Sequence, residues 1–423
     1  MLDIKFIREN LDLVKAGAIK KHITVDLDKL IAVDDKRRTL MAETESMRAM
    51  QNEASARMPM LSAEEKAKAI DNMKPLKEVF QTKEKELEEI NKEWQLLMVQ
   101  VPNIPDLSVP DGDSDDDNKE MRAWGGKPQF SFAHKNHIEL MQDLDMVDFE
   151  RGTKVAGFRG YFLKNDGVLL NLAIWNYAQQ FFLKKGFTPM LVPSLIKRVA
   201  FLGTGYLPQG EEDLYKTQDG DFLAGTAEVA TMGYHMNETL ELKELPIKYL
   251  SFSPCFRREA GSHGKDVKGL IRVHEFFKWE QVVLCEASHE ASVKLHEWLN
   301  RNTEEFIESL KIPYRTVVNC GGDLGLGQVK KYDIELWVPG ENKYREISSA
   351  SYFHDFQTRR LNIRYRDAEG KMQYAHSLNS TAIPTPRILV SLIENYQQAD
   401  GSIFIPEVLR PFMGKDKIEK TAL

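Results

Sequence analysis

The feature that most constrains the fold is a long helical repeat in the first hundred residues. Apolar side chains recur every three or four positions in two runs, at Leu27, Leu30, Ile31, Leu40, Met41 and Met47 and then at Leu87, Ile90, Trp94 and Leu97. This spacing is typical of paired helices. Residues 58–60 interrupt it, and Ser62 with Glu65 three positions later predicts the start of a second helix. Two helices of about 30 residues would form an antiparallel hairpin roughly 45 Å long.

Charge is distributed unevenly along this predicted hairpin. Residues 36–77 contain nine Lys or Arg and six Asp or Glu, whereas the rest of residues 27–100 contains four basic and nine acidic residues. A basic tip on an acidic base is typical of a nucleic-acid-binding arm. A solvated coiled coil whose charges only keep it soluble would look similar. Charge alone therefore leaves both interpretations open.

The chain divides into three predicted segments. Residues 1–104 form the helical arm, residues 105–124 an acidic linker rich in Pro and Asp, and residues 125–423 a second domain. The linker composition cannot bury much surface, so we predict a spacer there rather than folded structure or a metal site. In the second domain, helical runs such as 168–185 mix with strand-like runs such as 334–338 without a βαβ rhythm. This mixture predicts an α+β fold on an antiparallel sheet.

Composition and missing motifs narrow the function classes. With a net charge of −7, the chain could bind nucleic acid only through a local basic surface. Cys255, Cys285 and Cys320 form no C-x-x-C pair, which argues against a disulfide framework or a zinc site and suits a reducing cytosol. No apolar run reaches the ~18 residues of a membrane span, and no signal peptide is evident. We therefore expect a cytoplasmic protein with no membrane association, and neither Rossmann nor P-loop nucleotide binding.

The most informative motif is FRREAGSHGKDVKGLIRVHEFFKWE at residues 256–280. Its notable residues are Arg257, Arg258, Glu259, Gly261, Gly264, Gly269, Phe276 and Glu280. The order predicts a strand, a polar glycine loop and a second strand. An enzyme that attacks ATP at its α-phosphate needs a fixed cation, and a planar guanidinium can hold phosphate oxygens bidentately. An isolated R-x-E is usually an ordinary surface hairpin, so the interpretation depends on the motifs that accompany it.

Four other segments accompany this motif in a fixed order. They are a run that ends at Pro193, the triplet Thr226-Ala227-Glu228, YREISS at residues 344–349, and LNSTAIPTPR at residues 378–387. With the central motif, they resemble motif 1, the T-x-E loop, motif 2, the Y-x-E-[IV]-S-S segment and motif 3 of the seryl-tRNA synthetases of class II. The resemblance covers essentially the whole chain, including the arm, and the ordered set is far more specific than any member.

The resemblance implies a fold and an activity. The fold would be an antiparallel-sheet class II catalytic domain preceded by a coiled-coil arm. The activity would be that of a bacterial-type serine–tRNA ligase, which forms seryl-adenylate from serine and ATP with Mg²⁺ and transfers the seryl group to tRNA(Ser). Where the host has one, the serine-accepting tRNA(Sec) would be a second substrate. The enzyme would be a homodimer in which the arm of one subunit reaches tRNA on the other.

The resemblance also implies roles for individual residues. Arg257 would bind the α-phosphate and the serine carboxylate, and Arg387 would bind the γ-phosphate. Glu346 and Ser349 would supply oxygen ligands to Mg²⁺, so the catalytic residues would be Arg257, Glu346 and Arg387. The implied ATP site comprises Arg257, Arg258, Glu259, Phe276, Glu346, Ile347, Ser348, Ser349 and Arg387. The implied serine site comprises Thr226, Ala227, Glu228, Glu280 and Thr381.

Strand geometry tests whether Glu346 and Ser349 can share one ion. Strict alternation along a strand places Glu346 on one face and Ser349 on the other. A shared ion would therefore require a bulge or bend near Ile347, a distortion that is frequent beside active sites. Trp279 stands where the family usually has a small aliphatic residue, and its effect on the shape of the pocket stays open on the sequence.

Two alternative functions stay open on the sequence. One is a synthetase-like enzyme that loads an amino acid onto a carrier protein, but those relatives lack a long arm. The other is a non-catalytic paralogue that binds tRNA. Against it stand five intact charged residues of the implied site, Arg257, Glu259, Glu280, Glu346 and Arg387.

Overall fold

The computed structural model describes residues 1–261, 266 and 268–420, without the side chain of residue 70. Gly264 of the predicted glycine loop lies outside the described residues. The chain forms two compact units. One consists of Asp3–Ile19 and Ile23–Pro102, and the other of Met1–Leu2, Lys20–His22 and Asn103–Leu423.

Four helices account for most of the first hundred residues: α1 Ile4–Glu9, α2 Leu11–Lys20, α3 Leu27–Arg57 and α4 Ala63–Met98. Ser62 and Glu65 form the predicted capping box at the start of α4. Helices α3 and α4 run antiparallel, because Lys29 pairs with Glu93 near one end and Arg48 pairs with Glu84 farther along. The predicted helical hairpin is therefore confirmed, and α4 continues through Pro75 without a break in its helical assignment.

The second unit contains eighteen strands and nine further helices within its described residues. The helices are α5 His137–Asp143, α6 Phe149–Ala156, α7 Asn165–Leu183, α8 Arg198–Thr204, α9 Glu228–Tyr234, α10 His289–Ser309, α11 Phe356–Leu361, α12 Arg387–Asn395 and α13 Arg410–Met413. The strands are β1 Lys119–Trp124, β2 Val147–Asp148, β3 Phe162–Leu163, β4 Thr188–Leu191, β5 Leu195–Ile196, β6 Tyr215–Lys216, β7 Phe222–Leu223, β8 Thr239–Leu240, β9 Ile247–Phe256, β10 Glu275–Cys285, β11 Tyr314–Val318, β12 Lys330–Val338, β13 Lys343–His354, β14 Arg364–Arg366, β15 Met372–Tyr374, β16 His376–Thr385, β17 Ile403–Phe404 and β18 Lys417–Ile418.

An eight-stranded sheet organises this unit, in the order β1-β11-β12-β13-β16-β10-β9-β4. Every neighbouring pair is antiparallel except β4 and β9, which are parallel. The predicted α+β fold on an antiparallel sheet is confirmed. The strands that carry the sequence motifs, β9, β10, β13 and β16, are adjacent in the middle of the sheet. The fold therefore brings together segments that lie up to about 130 positions apart in the sequence.

The prediction of an unstructured linker at residues 105–124 is wrong in part. Residues Lys119–Trp124 form β1, which pairs with β11 at the edge of the sheet. Val109 is also buried. Five of the six residues of β1 are exposed, and an edge strand needs only main-chain hydrogen bonds to pair. Composition therefore gave no sign of it. Within the described part of the chain, no helix is long and apolar enough to cross a membrane.

Candidate active site

A cavity of about 340 Å³ brings most of the predicted site residues together. Strands β10, β13 and β16, the residues that directly follow β9 and the start of α12 all contribute to its wall. Eleven of the fourteen predicted residues line it: Thr226, Glu228, Arg257, Glu259, Phe276, Glu280, Glu346, Ile347, Ser349, Thr381 and Arg387.

Arg257 and Phe276 come from the facing ends of a hairpin. Arg257 directly follows β9, and Phe276 is the second residue of β10. The Arg257 guanidinium lies 5.2 Å from the centre of the Phe276 ring. It donates two long hydrogen bonds, of 3.3 and 3.4 Å, to the Gly225 carbonyl. No described carboxylate lies within ion-pair distance of Arg257, so its charge and several N–H donors are free to bind an anion in the cavity.

Glu259 is held in place by an arginine from the far side of the glycine loop. Its φ angle of 54° lies in the left-handed region, which few residues other than glycine adopt. The carboxylate accepts a 3.1 Å hydrogen bond from Arg272. Burial alone raises the pKa of Glu259, but this hydrogen bond and the charges of Arg257 and Arg387 outweigh burial and hold the pKa below its usual value. Glu259 is therefore an ionised acceptor in a fixed position.

A bulge in β13 directs two oxygen-bearing side chains into the cavity. Glu346 lies opposite Glu335 of β12, whereas Ser348 lies opposite Ile334, so Ile347 is an extra residue in this strand. Alternation resumes after it, and Ser349 lines the cavity together with Glu346. The bulge predicted near Ile347 is confirmed. Because the bulge inserts one extra residue, the side chains that follow it point to the opposite face from the one that strict alternation would give them.

Arg387 is the first residue of α12 and supplies a second cation. Its Nε donates to the Ile271 carbonyl at 2.8 Å, and its Nη1 donates to the Glu346 carbonyl at 3.2 Å. Burial lowers the pKa of Arg387, but a guanidinium stays charged in proteins. Two backbone carbonyls thus fix this cation beside the bulge in β13.

A cluster of buried polar side chains forms another part of the wall. The Glu228 carboxylate accepts hydrogen bonds from the Tyr206 hydroxyl at 2.9 Å and from the Gln357 amide at 2.6 Å. Burial raises the pKa of Glu228 to about 6. The Thr381 hydroxyl donates to the Glu280 carboxylate at 3.3 Å, and both side chains are buried.

Lys278 joins this cluster, although it was not among the residues predicted from the sequence. Its side chain is buried, donates to the Thr226 hydroxyl at 2.8 Å and forms an ion pair with Glu280. Alternation along β10 was the available signal, because Phe276, Lys278 and Glu280 fall on one face of a strand. Glu228 and Glu280 carry two negative charges and Lys278 carries one positive charge. The cluster is therefore left with a net charge of −1 when all three are ionised.

Three predicted residues do not line the cavity. The Ala227 side chain is buried at the start of α9, and Ser348 turns away from the cavity to donate to a backbone carbonyl of β16. Arg258 points outward, where it donates to a backbone carbonyl at 3.0 Å. The structure answers the question that the sequence left open for Trp279, which does not line the cavity. Trp279 lies on the opposite face of β10, with its ring 4.8 Å from that of Phe252 in the core.

Comparisons with known proteins agree with this arrangement. The family described as "tRNA synthetase class II core domain (G, H, P, S and T)" matches residues 215–396, and "Seryl-tRNA synthetase N-terminal domain" matches residues 1–105. A serine–tRNA ligase of Deinococcus radiodurans is 45% identical over 98% of both chains.

Two solved structures are similar over nearly their full length. The seryl-tRNA synthetase of Pyrococcus horikoshii complexed with ATP has a TM-score of 0.89 and 38% identity, and covers 100% of both chains. The cytoplasmic serine–tRNA ligase of Naegleria fowleri in complex with AMP has a TM-score of 0.87 and 34% identity, and covers 100% of this chain and 99% of its own.

Proposed function

This chain belongs to the seryl-tRNA synthetase family and is a serine–tRNA ligase, and from that premise we propose which residues act in each step. Its substrates are ATP, serine and tRNA. The observation that best supports the assignment is a single cavity that joins two fixed arginines to a small, buried, acidic pocket. The first part suits the phosphates of ATP, and the second suits an amino acid with a polar side chain.

Arg257 acts at the reacting centre. A carboxylate oxygen of serine attacks the α-phosphorus of ATP, the bond from that phosphorus to the bridging oxygen breaks, and pyrophosphate leaves with the electron pair. Arg257 binds the α-phosphate and the serine carboxylate, because its donors face the cavity without a described acidic partner. Arg387 binds the γ-phosphate, Phe276 stacks on adenine, and Glu259 lies at the adenine end. No side chain acts as a nucleophile, so positioning and electrostatic stabilisation supply the rate.

Glu346 and Ser349 are the residues that would hold Mg²⁺. The bulge at Ile347 brings a carboxylate and a hydroxyl to one cavity wall, and such hard oxygen donors suit this ion. Within the described residues, no three His, Cys, Asp or Glu side chains converge as a metal site. The other ligands would therefore be phosphate oxygens of ATP and water, the usual arrangement for Mg²⁺. When bound, the ion would offset negative charge on the phosphates.

The buried polar cluster around Lys278 forms the serine pocket. Its net charge of −1 complements the ammonium group of the amino acid, which Glu280 and Thr226 are placed to bind. The Thr381 hydroxyl contacts Glu280 and is placed to bind the serine hydroxyl. Glu228 also lines the pocket. Its carboxylate is held by hydrogen bonds from Tyr206 and Gln357. Lys278 neutralises one of the two carboxylates, which without it would repel each other.

Serine is expected to drive ATP–pyrophosphate exchange far better than any other amino acid. A site built to bind a substrate hydroxyl rejects the analogue that lacks it, by as much as ~10⁴–10⁵, because its polar groups are left unpaired. Exchange should be measured with each amino acid in turn, and alanine should be almost inactive. Exchange driven best by alanine, glycine or proline would contradict the proposed function.

Glu346→Gln is expected to raise the Mg²⁺ concentration that the exchange reaction requires. The amide keeps the shape of the side chain but removes the charge that attracts the ion, so activity should partly recover at high Mg²⁺ or with Mn²⁺. Glu335→Gln is the matched control, because Glu335 lies opposite Glu346 on β12 and pairs with Arg315 outside the cavity. An unchanged Mg²⁺ midpoint with a raised KM for serine would instead place Glu346 in the amino-acid pocket.

Exposed apolar side chains support a homodimer. They lie on α7 and on the segment from β4 to β5, which includes the end of the run up to Pro193 that resembles motif 1, and comprise Val168, Leu169, Leu172, Leu183, Leu191 and Leu195. Leu191 alone is 80% exposed. An apolar patch of this kind marks an interface, and two copies of one chain would cover it symmetrically.

Leu191→Glu is expected to shift the protein from dimer to monomer, because a buried carboxylate at the interface would lack a partner. Sedimentation velocity across a range of concentrations measures the shift. Leu107→Glu is the control, since Leu107 is fully exposed but lies outside this patch. A stable monomer in the unmodified protein would overturn the proposed dimer.

The proposed function also includes a tRNA partner for the helical hairpin and a cellular location for the enzyme. The helical hairpin binds the long arm of tRNA(Ser) by its shape and phosphates. Where the host makes tRNA(Sec), the enzyme also charges it with serine, which an aminoacylation assay with that tRNA tests. The enzyme acts in the cytoplasm, where fractionation of host cells should find it.

A further inference from the structure

The loop of residues 325–328 forms part of the cavity wall and lies near the serine pocket. All four of its residues line the cavity. The Gln328 amide donates to the Ser351 hydroxyl at 2.8 Å, and Ser351 lies opposite Asn379 on β16. Asn379 lines the cavity two positions before Thr381, on the same strand. Gln328 thus connects this loop, through Ser351, to the strand that carries Thr381 of the amino-acid pocket.

Lys21 holds this loop with a buried ammonium group. The side chain is 3% exposed, and its Nζ donates to the carbonyls of Gly325 at 3.1 Å, Leu326 at 3.0 Å and Gln328. These three acceptors match the three donors of an ammonium group. No described carboxylate lies within ion-pair distance, and burial lowers the pKa of Lys21 well below its usual value. Burying a cation in this way is unfavourable unless its hydrogen bonds are satisfied.

Asn103 completes the attachment of the loop. Its backbone N–H donates to the Leu326 carbonyl at 2.9 Å, and its side-chain amide donates to the Gly327 carbonyl at 3.1 Å. The same amide donates to the Phe353 carbonyl at 2.8 Å. Lys21 and Asn103 together therefore bind every backbone carbonyl of residues 325–328. Neither residue lines the cavity itself.

These two residues lie at the two ends of the main segment of the helical unit, where the chain passes from one unit to the other. That unit's main segment is Ile23–Pro102, so Lys21 precedes it by two positions and Asn103 follows it directly. We propose that Lys21 and Asn103 are positioning residues through which tRNA bound to the helical unit sets the shape of the serine pocket, by way of loop 325–328. The inference rests on the proposed function. Through this connection, bound tRNA would change the affinity of the enzyme for serine.

Coupling of this kind has a measurable consequence. If tRNA changes the affinity for serine, linkage requires serine to change the affinity for tRNA by the same factor, typically about 5- to 150-fold. A tRNA without its terminal adenosine can bind but cannot accept serine, so it isolates this effect in the exchange reaction. In the unmodified enzyme, we expect saturating truncated tRNA(Ser) to lower the KM for serine by at least about fivefold.

In the exchange reaction without tRNA, Lys21→Met and Asn103→Ala should each raise the KM for serine by roughly tenfold. This is the factor expected when about one hydrogen bond that positions the loop is lost. The KM for ATP should stay within about twofold. Truncated tRNA should no longer lower the serine KM in either variant. Lys20→Met is the matched control. Its neighbouring ammonium pairs with Asp111 at 3.3 Å rather than with the loop, and it should behave as the unmodified enzyme does.

The outcomes separate the inference from the function it rests on. Absence of serine-dependent exchange in the unmodified enzyme would contradict the proposed function. If that enzyme is active but the tRNA effect is absent, or survives in both variants, the inference is wrong. A fall in kcat and melting temperature with an unchanged serine KM would also overturn it, because that pattern indicates a purely structural role. If Lys21→Met fails to fold, Asn103→Ala decides the question alone.

Discussion

Arg257→Ala is expected to reduce serine-dependent pyrophosphate exchange by on the order of 10²–10³, the usual effect of removing a donor aimed at charge that develops in the transition state. The guanidinium has no described acidic partner, and its hydrogen bonds to the Gly225 carbonyl are long. The folded protein therefore loses little when the side chain is removed, and the melting temperature should change by no more than a few degrees. Exchange kinetics and a thermal melt measure the two effects separately.

Arg258→Ala is the control for this experiment, because it removes the same chemical group from the next residue. Arg258 points out of the cavity and donates to a backbone carbonyl, so exchange should stay within a few-fold of normal. Arg387→Ala should also impair activation, but less than Arg257→Ala, since Arg387 is assigned to the γ-phosphate rather than to the reacting phosphorus. A folded Arg257→Ala enzyme with near-normal exchange would disprove the assigned role. Equal losses in Arg257→Ala and Arg258→Ala would indicate damage to the loop instead.

Periodicity predicted the helical hairpin well, because its physical basis is local. Helices α3 and α4 bury a narrow apolar stripe that includes Val33, Leu40 and Ile90, and such a stripe leaves a repeat every three or four residues. The capping box at Ser62 is equally local, since its two hydrogen bonds join residues three positions apart. These features could be found from the order of residues alone.

The cavity was less predictable because it depends on strand register. Alternation was sufficient to place Lys278 on the same face of β10 as Glu280, but it does not show which side chains of other strands that face meets. Strict alternation predicts that the Ser349 side chain lies on the face of β13 opposite to Glu346. The bulge at Ile347, which appears only in the pairing of β13 with β12, brings both side chains to the same face. Lys21 and Asn103 had no sequence signal, because their partners are backbone carbonyls about 300 and 220 positions away. Every residue has a backbone carbonyl, so the residue types at positions 325–328 do not reveal these hydrogen bonds.

The charges of the basic part of the hairpin, residues 36–77, can now be sorted by their contacts. Arg57, Lys68 and Lys74 pair with acidic residues on their own helices. Four others, Lys36, Arg38, Lys66 and Lys77, have no acidic partner within ion-pair distance among the described residues, which leaves them available for phosphates. The excess of positive charge in the sequence therefore corresponds to specific unpaired groups, and these favour nucleic-acid binding over a merely solvated coiled coil.

Removing the distal hairpin is expected to spare activation of serine but to reduce aminoacylation of tRNA by on the order of 10² or more, because phosphate contacts dominate the affinity of such complexes. The structure indicates where to cut. Arg37 donates to Asn91 across the hairpin at 3.0 Å, so replacing residues 38–90 with a short Gly-containing turn joins two positions that already face each other. Exchange should stay near normal, since no residue of the cavity lies in the deleted segment.

A milder variant separates charge from shape in the same experiment. Exchanging Lys36, Arg38 and Lys77 for Gln keeps both helices and removes three unpaired cations. The slope of log affinity for tRNA against log salt should then flatten by up to about two to three units, because each phosphate contact releases close to one counterion. Lys68→Gln is the control, since Lys68 pairs with Glu64 on its own helix and should leave the slope nearly unchanged. Normal aminoacylation by the deletion variant would show that the hairpin has another role. An unchanged salt slope in the triple variant would mean that the tRNA contacts lie elsewhere on the enzyme.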